Sequence, residues 1–241
     1  MSPRIQTLWV GDRLSPLERI ALRSFLAHGH QVDLYAYSEI AGVPAGVAVK
    51  DAAEILPPSM IFKYRDHDSY SGFSNYFRYK LLLERGGWWV DADVVCLRPF
   101  DFADEHVFAT EPRPSPPEAS PRGMVSCVLK APAGSPAMAY AWEACRAKDP
   151  GRLVWNETGS WLMKRCVEML GMQAFVQPPE VFCPLAPWLW RRCLEPGAEL
   201  GITERSFSFH AWNEMWRREG GDKEAEPAAG SYYHQLRSTY L

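Results

Sequence analysis

The sequence lacks the features that mark several protein classes. No apolar run approaches the roughly 20 residues of a membrane-spanning helix, and the opening MSPRIQTLWVG has none of the basic, apolar and small-residue zones of a secretory signal. A cytoplasmic location is the expectation. The six cysteines, Cys96, Cys127, Cys145, Cys166, Cys183 and Cys193, stand singly with no CxxC pair, so the spacing suggests neither a zinc site nor a redox motif. They are expected as reduced, mostly buried thiols. Positive charge is not in excess: 26 Lys and Arg face 29 Asp and Glu, for a net charge of -3. That balance excludes a charge-driven partner such as nucleic acid, although local contact at a membrane periphery stays compatible with it. No GxGxxG motif joins the first strand to the first helix, which removes the dinucleotide-binding fingerprint. No internal repeat is found.

What is present is an ordinary globular composition, 47% hydrophobic and 23% charged, which excludes a disordered or fibrous chain. Residues 5 to 10 read as a strand, and Ser15-Pro16 as the cap and first turn of a helix carrying Leu17, Ile20, Ala21, Ser24 and Phe25 on one face up to Gly29. Val32, Leu34 and Ala36 then alternate as a second strand. This is a β-α-β unit suited to a parallel, Rossmann-like sheet. Ser74 is the expected cap of a later helix running to Glu84 and stopped by Gly86-Gly87. Trp88, Trp89 and Val90 form a strand that Asp91-Ala92-Asp93 interrupts before Val94 to Leu97 resume it. Further helices are expected near 136 to 147 and 160 to 170, the second with Trp161, Leu162, Val167 and Leu170 on overlapping faces. The five prolines between Pro112 and Pro121 predict a loop, 178 to 198 reads as irregular, and 219 to 230 has the composition of a flexible connector or lid.

The chemistry concentrates at Asp91 and Asp93. Two carboxylates held close after a buried strand raise each other's pKa unless a cation neutralises them. A hard divalent ion sharing its shell with substrate phosphates is the natural partner, since one or two protein carboxylates then suffice. Two solvated aspartates in a turn are the plainer alternative.

Residues 74 to 95, SNYFRYKLLLERGGWWVDADVV, carry helix, Gly-Gly turn, aromatic strand and DxD in one order. This string resembles the glycosyltransferases with a DXD-containing sugar-binding region, relatives of the large glucosylating toxins, the yeast initiating mannosyltransferases and the α-1,4-galactosyltransferases, here in a bacterial capsular-polysaccharide-type form. IQTLWVG near the start and FHAWNEMW at 209 to 216 are similar to the first strand and the C-terminal segment of that family. The resemblance implies an α/β GT-A fold over 1-241. Residues 1-110 would be the nucleotide-sugar-binding half, and 111-241 the acceptor half with a C-terminal metal and lid segment. It implies retaining transfer of a hexose from a nucleotide-sugar, UDP-linked, to a glycan or glycoconjugate acceptor, with Mn²⁺ or Mg²⁺ and in the service of polysaccharide biosynthesis.

Residue by residue, the resemblance assigns Asp93 to the metal and Asp91 to the ribose or sugar and the metal shell. Arg78 would reach donor hydroxyls, Trp9 would stack on the base, and His210 would add a C-terminal metal ligand. Val10, Gly11, Asn75 and Ala92 fall in the donor-binding set, with Trp89 and Trp212 as walls. Asn75 departs from the aspartate usual at that place, which bears on donor choice, and Thr158-Gly159-Ser160 is similar to the family's Thr-Gly-Pro turn near the acceptor. Each assignment has a plainer alternative. Trp9 packs the first strand to the sheet, Arg78 pairs at the surface with Glu84 or Asp101, and His210 is a satisfied core histidine. Arg65, Asp66, His67 and Asp68 read as a solvated turn.

Two other functions share the motif. WWVDADVV also fits the hhhDxDx[TV] motif of haloacid-dehalogenase-type phosphatases, with Asp91 as nucleophile, but no later acidic pair accompanies it. A non-catalytic sugar-binding or scaffold module on the same fold is the other.

Overall fold

The computed structural model describes residues 3–113 and 122–241. Its first strand, β1 (Arg4–Trp9), leads into helix α1 (Pro16–Ala27), strand β2 (Gln31–Ala36) and strand β3 (Val47–Asp51). Ser15 caps α1 in the expected place. The Glu18 side chain accepts from the Ser15 N–H at 2.8 Å, which closes a capping box. Gly29 ends the turn at φ 79°, in the left-handed region that glycine enters without strain.

Helix α2 (Ser71–Arg85) and strands β4 (Gly87–Val90), β5 (Val94–Cys96), β6 (Val107–Pro112) and β7 (Arg122–Ala131) follow. Helices α3 (Pro136–Arg146), α4 (Ser160–Met169) and α5 (Pro179–Phe182), strand β8 (Ser208–His210), and helices α6 (Asn213–Arg218) and α7 (Tyr232–Tyr240) complete the chain. The main sheet has the order β3-β2-β1-β4-β7-β6. Its β1, β2, β3 and β4 pair in parallel, and β7 joins both β4 and β6 antiparallel. Strands β5 and β8 form a separate antiparallel pair.

The sheet divides two apolar layers. Ile5, Val32, Leu34 and Trp88 pack with Leu17, Ile20 and Phe25 of α1 and with residues of β5, α5, β8 and α7 on one side. Leu8, Tyr35 and Trp89 pack with α2, α3 and α4 on the other. Neighbouring Trp88 and Trp89 therefore serve opposite cores, as the pleat of a strand requires. All six cysteines are free and buried, as expected.

Four local expectations change. Helix α2 starts a turn before Ser74, whose N–H donates to the Tyr70 carbonyl at 2.8 Å, so Ser74 is an interior residue and not the cap. In α4 the buried stripe is Leu162, Met163, Cys166 and Val167, whereas Trp161 is 55% and Leu170 39% exposed because both flank that stripe at the helical period. The segment 178 to 198 is less irregular than its prolines suggest. Pro179 opens α5, and Pro187 opens a 3₁₀ helix to Leu194 that buries Trp190 and Cys193, since a first-turn proline needs no N–H partner. The region 219 to 230 has no regular element, yet Gly221 is pressed against the rings of Trp190 and Trp216, where a Cβ would come within 2.6 and 2.9 Å. Lys223 bonds both the buried Glu18 and the Asn213 side chain, each at 2.8 Å. Of the expected Pro-rich loop, Pro112 closes β6, and residues 114 to 121 lie outside the described ones. Among the described residues, no helix is long and apolar enough to cross a membrane.

Candidate active site

The order β3-β2-β1-β4 means that the chain leaves β1 toward one edge and later returns beside it as β4. The crevice outside the carboxyl ends of strands at such a reversal is where open parallel sheets bind ligands, because no connection crosses there. Trp9 ends β1 and Asp91 follows β4, and both line a cavity of about 640 Å³ at this point. That volume falls within the range of nucleotide-sized and drug-sized pockets.

A tight turn places the aspartates. The Asp91 N–H donates to the Cys127 carbonyl of β7 at 2.8 Å, and the Val94 N–H donates back to the Asp91 carbonyl at 3.0 Å. Asp91 is held from the N-terminal half. Its Oδ1 accepts from Trp89 Nε1 at 2.8 Å and lies 3.0 Å from Arg78 Nη2. Arg78 is 3% exposed, beneath an Asp91 side chain that is 27% exposed, so the ion pair floors the cavity. The surface pairing with Glu84 or Asp101 does not form. Arg78 also donates to Ser126 Oγ at 2.8 Å and to Ser74 Oγ at 2.8 Å, and its guanidinium lies over the Trp89 ring.

Asp93 is held from the other end of the chain. Its Oδ2 accepts from the Asn213 N–H at 2.7 Å and lies 3.2 Å from His210 Nε2, while its carbonyl accepts from the Ala211 N–H at 3.0 Å. Asp91, Asp93 and His210 offer three ligand atoms within 4.8 Å of one another. Two carboxylates and one imidazole form a set that could hold a small divalent ion.

Burial and neighbouring charges act against one another within the group. Burial raises the Asp91 carboxyl above its ordinary range, Arg78 pulls it down, and Asp93 pushes it further up. For Asp93 burial also acts upward, but His210 and the Asn213 N–H hold the carboxyl below its ordinary range. Burial disfavours the charge on His210, yet Asp93 raises that imidazole well above its usual value.

The remaining expected residues gather at the same cavity with one exception. Leu8, Trp9 and Val10 line it, as do Asn75, Trp89, Ala92, Trp212 and Ser160. Gly11 does not line it and sits under the Trp9 indole, with a Cβ there 3.0 Å from Nε1. Asn75 is buried, accepts from Ser126 Oγ at 3.2 Å and donates to Thr158 Oγ1 at 3.4 Å. Trp212 stands at φ 58° with its ring 3.9 Å from that of His210. Asp68, Asn156 and Trp212 are the non-glycine residues at positive φ among the described ones, and all three line this cavity. Such backbone strain gathers at functional sites, where the surroundings hold it in place. Asp68 therefore belongs to the cavity wall, while Arg65 and Asp66 remain a solvated turn, 84% and 78% exposed. None of 219 to 230 lines the cavity, and its C-terminal wall comes from 212 to 218.

Sequence reading missed several members. Glu111 lines the cavity, and burial pushes its carboxyl up to about 7 against the pull of His210 and Arg113. Trp155 and Asn156 precede the Thr158 turn, and Glu214, Arg217 and Arg218 of α6 close the wall opposite Ser69. Nothing in their spacing marks them.

A mixed α/β sheet with a carboxylate pair at its switch point defines a GT-A-type fold, and comparison with solved structures agrees. The chain superposes on the PaToxG glycosyltransferase with a TM-score of 0.51, 12% identity and 72% of each chain covered. Weaker likenesses are to the galactosyltransferase LgtC in complex with donor and acceptor sugar analogs (TM-score 0.48, 9% identity, 98% of this chain and 96% of that one) and to the apo-form glycosyltransferase GlyE of Streptococcus pneumoniae TIGR4 (TM-score 0.41, 12% identity, 75% and 46%). The first carries the likeness of fold. Residues 46–111 match the family model for the glycosyltransferase sugar-binding region containing DXD motif, so the resemblance carried by the DxD string is shown for that segment. No curated protein sequence matches the chain. The chain thus has a glycosyltransferase-like fold and a DXD-containing sugar-binding region.

Proposed function

We propose that the protein is a metal-dependent retaining hexosyltransferase that takes its sugar from a UDP-linked donor and passes it to a glycan or glycoconjugate. One observation carries this reading: Asp91, Asp93 and His210 converge at the end of a cavity that Trp9, Asn75 and Arg78 also line. Asp93 and His210 would hold the cation, with Asp91 contributing to its shell. A divalent ion bound there supplies the positive charge that stabilises the leaving diphosphate. Trp9 offers its indole face to the base, and Arg78 keeps Asp91 oriented while its own charge lies under the donor. Asn75, held by Ser126 and Thr158, presents an amide to the sugar, where an aspartate would present only acceptors. In a front-face transfer the leaving phosphate oxygen takes the acceptor proton, so no strong protein base is required beside the anomeric carbon.

Residues 1–110 are assigned to the nucleotide-sugar and 111–241 to the acceptor, with His210 and α6 reaching back to close the metal side. Trp155, Asn156 and Ser160, which line the cavity, are assigned to the acceptor. A role in bacterial polysaccharide synthesis on the cytoplasmic side is consistent with this assignment.

The test is hydrolysis and transfer across a panel of nucleotide-sugars with Mn²⁺, with Mg²⁺ and with chelator. Activity that needs the metal and a UDP-sugar supports the proposal. Phosphate release from simple phosphomonoesters moves the protein to the phosphatase class. Sugar binding without turnover across the panel leaves a binding module.

A further inference from the structure

On the far side of His210 lies a second group that the donor site does not use. Cys127 of β7 and Cys183, which follows α5, stand with their Sγ atoms 3.4 Å apart, and Cys183 Sγ is 4.0 Å from His210 Nδ1. The three ligand atoms all lie within 4.8 Å of one another, and all three residues are buried. We propose that Cys127, Cys183 and His210 form a second metal site, selective for a thiophilic divalent ion of the zinc type, that competes with the Asp91–Asp93 site for His210.

The spacing suits such an ion. Zn–S bonds of about 2.3 Å and a Zn–N bond of about 2.0 Å in a tetrahedron set neighbouring ligand atoms about 3.5–3.8 Å apart. The observed 3.4 and 4.0 Å straddle that range, so small side-chain movements complete it. Soft thiolates select zinc over the hard ions that prefer oxygen. Three protein ligands leave a fourth position, and Cys127 lines the cavity from which water can reach it.

The other ring nitrogen supplies an independent argument. A metal-ligating histidine commonly donates its second ring N–H to a carboxylate, which fixes its tautomer and strengthens it as a ligand. His210 meets that requirement: Nδ1 faces Cys183 while Nε2 stands 3.2 Å from Asp93 Oδ2. Binding of an ion displaces the thiol protons, so occupation of the site releases protons.

Occupation has a direct consequence. With Nδ1 on a soft ion and Nε2–H donated to Asp93, His210 has no lone pair left for a cation at the DxD. Zinc therefore antagonises the hard ion. This competition rests on the reading of His210 as a donor-side metal ligand, whereas the site itself does not.

Titration of the reduced, metal-free full-length chain with Co²⁺ tests the site spectroscopically. One equivalent is expected to give a sulfur-to-cobalt charge-transfer band that Zn²⁺ then displaces. Asp91→Asn keeps the band, and Cys127→Ser with Cys183→Ser removes it. No thiolate–cobalt band in the wild-type chain overturns the proposal whether or not the variants fold, and so does a band that survives the double substitution. In a second arm, equimolar Zn²⁺ suppresses Mn²⁺-dependent turnover of the wild type, and Cys183→Ser relieves that suppression at least about tenfold. Equal suppression in both chains removes the competition. A cobalt band in a chain that turns over no nucleotide-sugar leaves the metal site standing and sinks the transferase reading instead.

Discussion

Asp91 and Asp93 stand one residue apart in a single turn, and their surroundings push the two carboxyls in opposite directions. Around Asp91 the partners are near in sequence: Trp89 two residues before it and Arg78 on the preceding helix. Burial still wins there, and the carboxyl is raised. Around Asp93 the partners are remote, with Asn213 separated by 120 residues, and an imidazole together with a backbone N–H lowers the carboxyl. His210 and the Asn213 N–H thus favour the charged form of Asp93, whereas at Asp91 the pull of Arg78 is outweighed by burial and by the neighbouring Asp93 charge. The difference teaches that a DxD motif is two unlike groups and not a pair of equals.

That asymmetry can be broken first at Asp93. Asp93→Ala is expected to lower kcat by about 10³-fold or more, several kcal/mol of transition-state stabilisation, and to abolish metal-dependent UDP binding measured by calorimetry. Unchanged turnover would place the cation elsewhere. On the Asp91 side the larger effect is on folding. Arg78→Ala leaves a partly buried carboxylate without its cation and removes a buried side chain, and it is expected to destabilise the chain by about 2–3 kcal/mol in urea melts, more than any substitution of a surface pair such as Arg65–Asp66.

Glu111 sharpens the comparison through pH. Its carboxyl is held at about 7 against an ordinary value of 4.5. Below 4.5 it is protonated in folded and unfolded chains alike and carries no penalty. Between those values the unfolded chain ionises first, so stability falls as pH rises, and above 7 the loss is constant. Glu111→Gln removes the penalty and is expected to be about 2–3 kcal/mol more stable than wild type at pH 8, with the gap closing toward pH 5. Parallel pH–stability curves for the two chains would remove the group from the charged network. The smallest expected effect is at Asn75. Asn75→Asp adds a third carboxylate beside the Asp91 side of the cavity and is expected to reorder kcat/KM among UDP-hexoses by about 1–3 kcal/mol with UDP affinity nearly constant. Wild-type ranking in both Asn75→Asp and Asn75→Ala would make Asn75 a support for Thr158 alone.

The legible parts of the site were those written locally. The Gly86-Gly87 stop, the aromatic strand and the two aspartates follow from chain stiffness and periodicity over some twenty residues, and Arg78 lies a few helical turns away. Ser74 is no cap because the helix already runs from Ser71, so Ser74 lacks the extended φ/ψ of an N-cap, and Tyr70 at the actual N-cap does not mark the earlier start by its type. Trp9, Asn75 and His210 were named by resemblance, and geometry brings all three to the cavity, although Gly11 only supports the indole. Glu111, Asn156, Trp155 and the α6 arginines carry no local signature, since single polar residues at strand and helix ends occur throughout any chain.

By itself, the sequence determined the α/β alternation, the place of the DxD after an apolar strand, and the absence of a metal-type cysteine spacing, because each is a matter of neighbours in the chain. Only the tertiary structure decided which residues meet. Parallel pairing of β1 with β4 opens the crevice, and the β5–β8 pair draws His210 to Asp93. The same packing sets Cys127 and Cys183 against the far side of that imidazole, although 56 residues separate them. Pairings over such distances depend on the burial of whole faces, and no local run of residues encodes them.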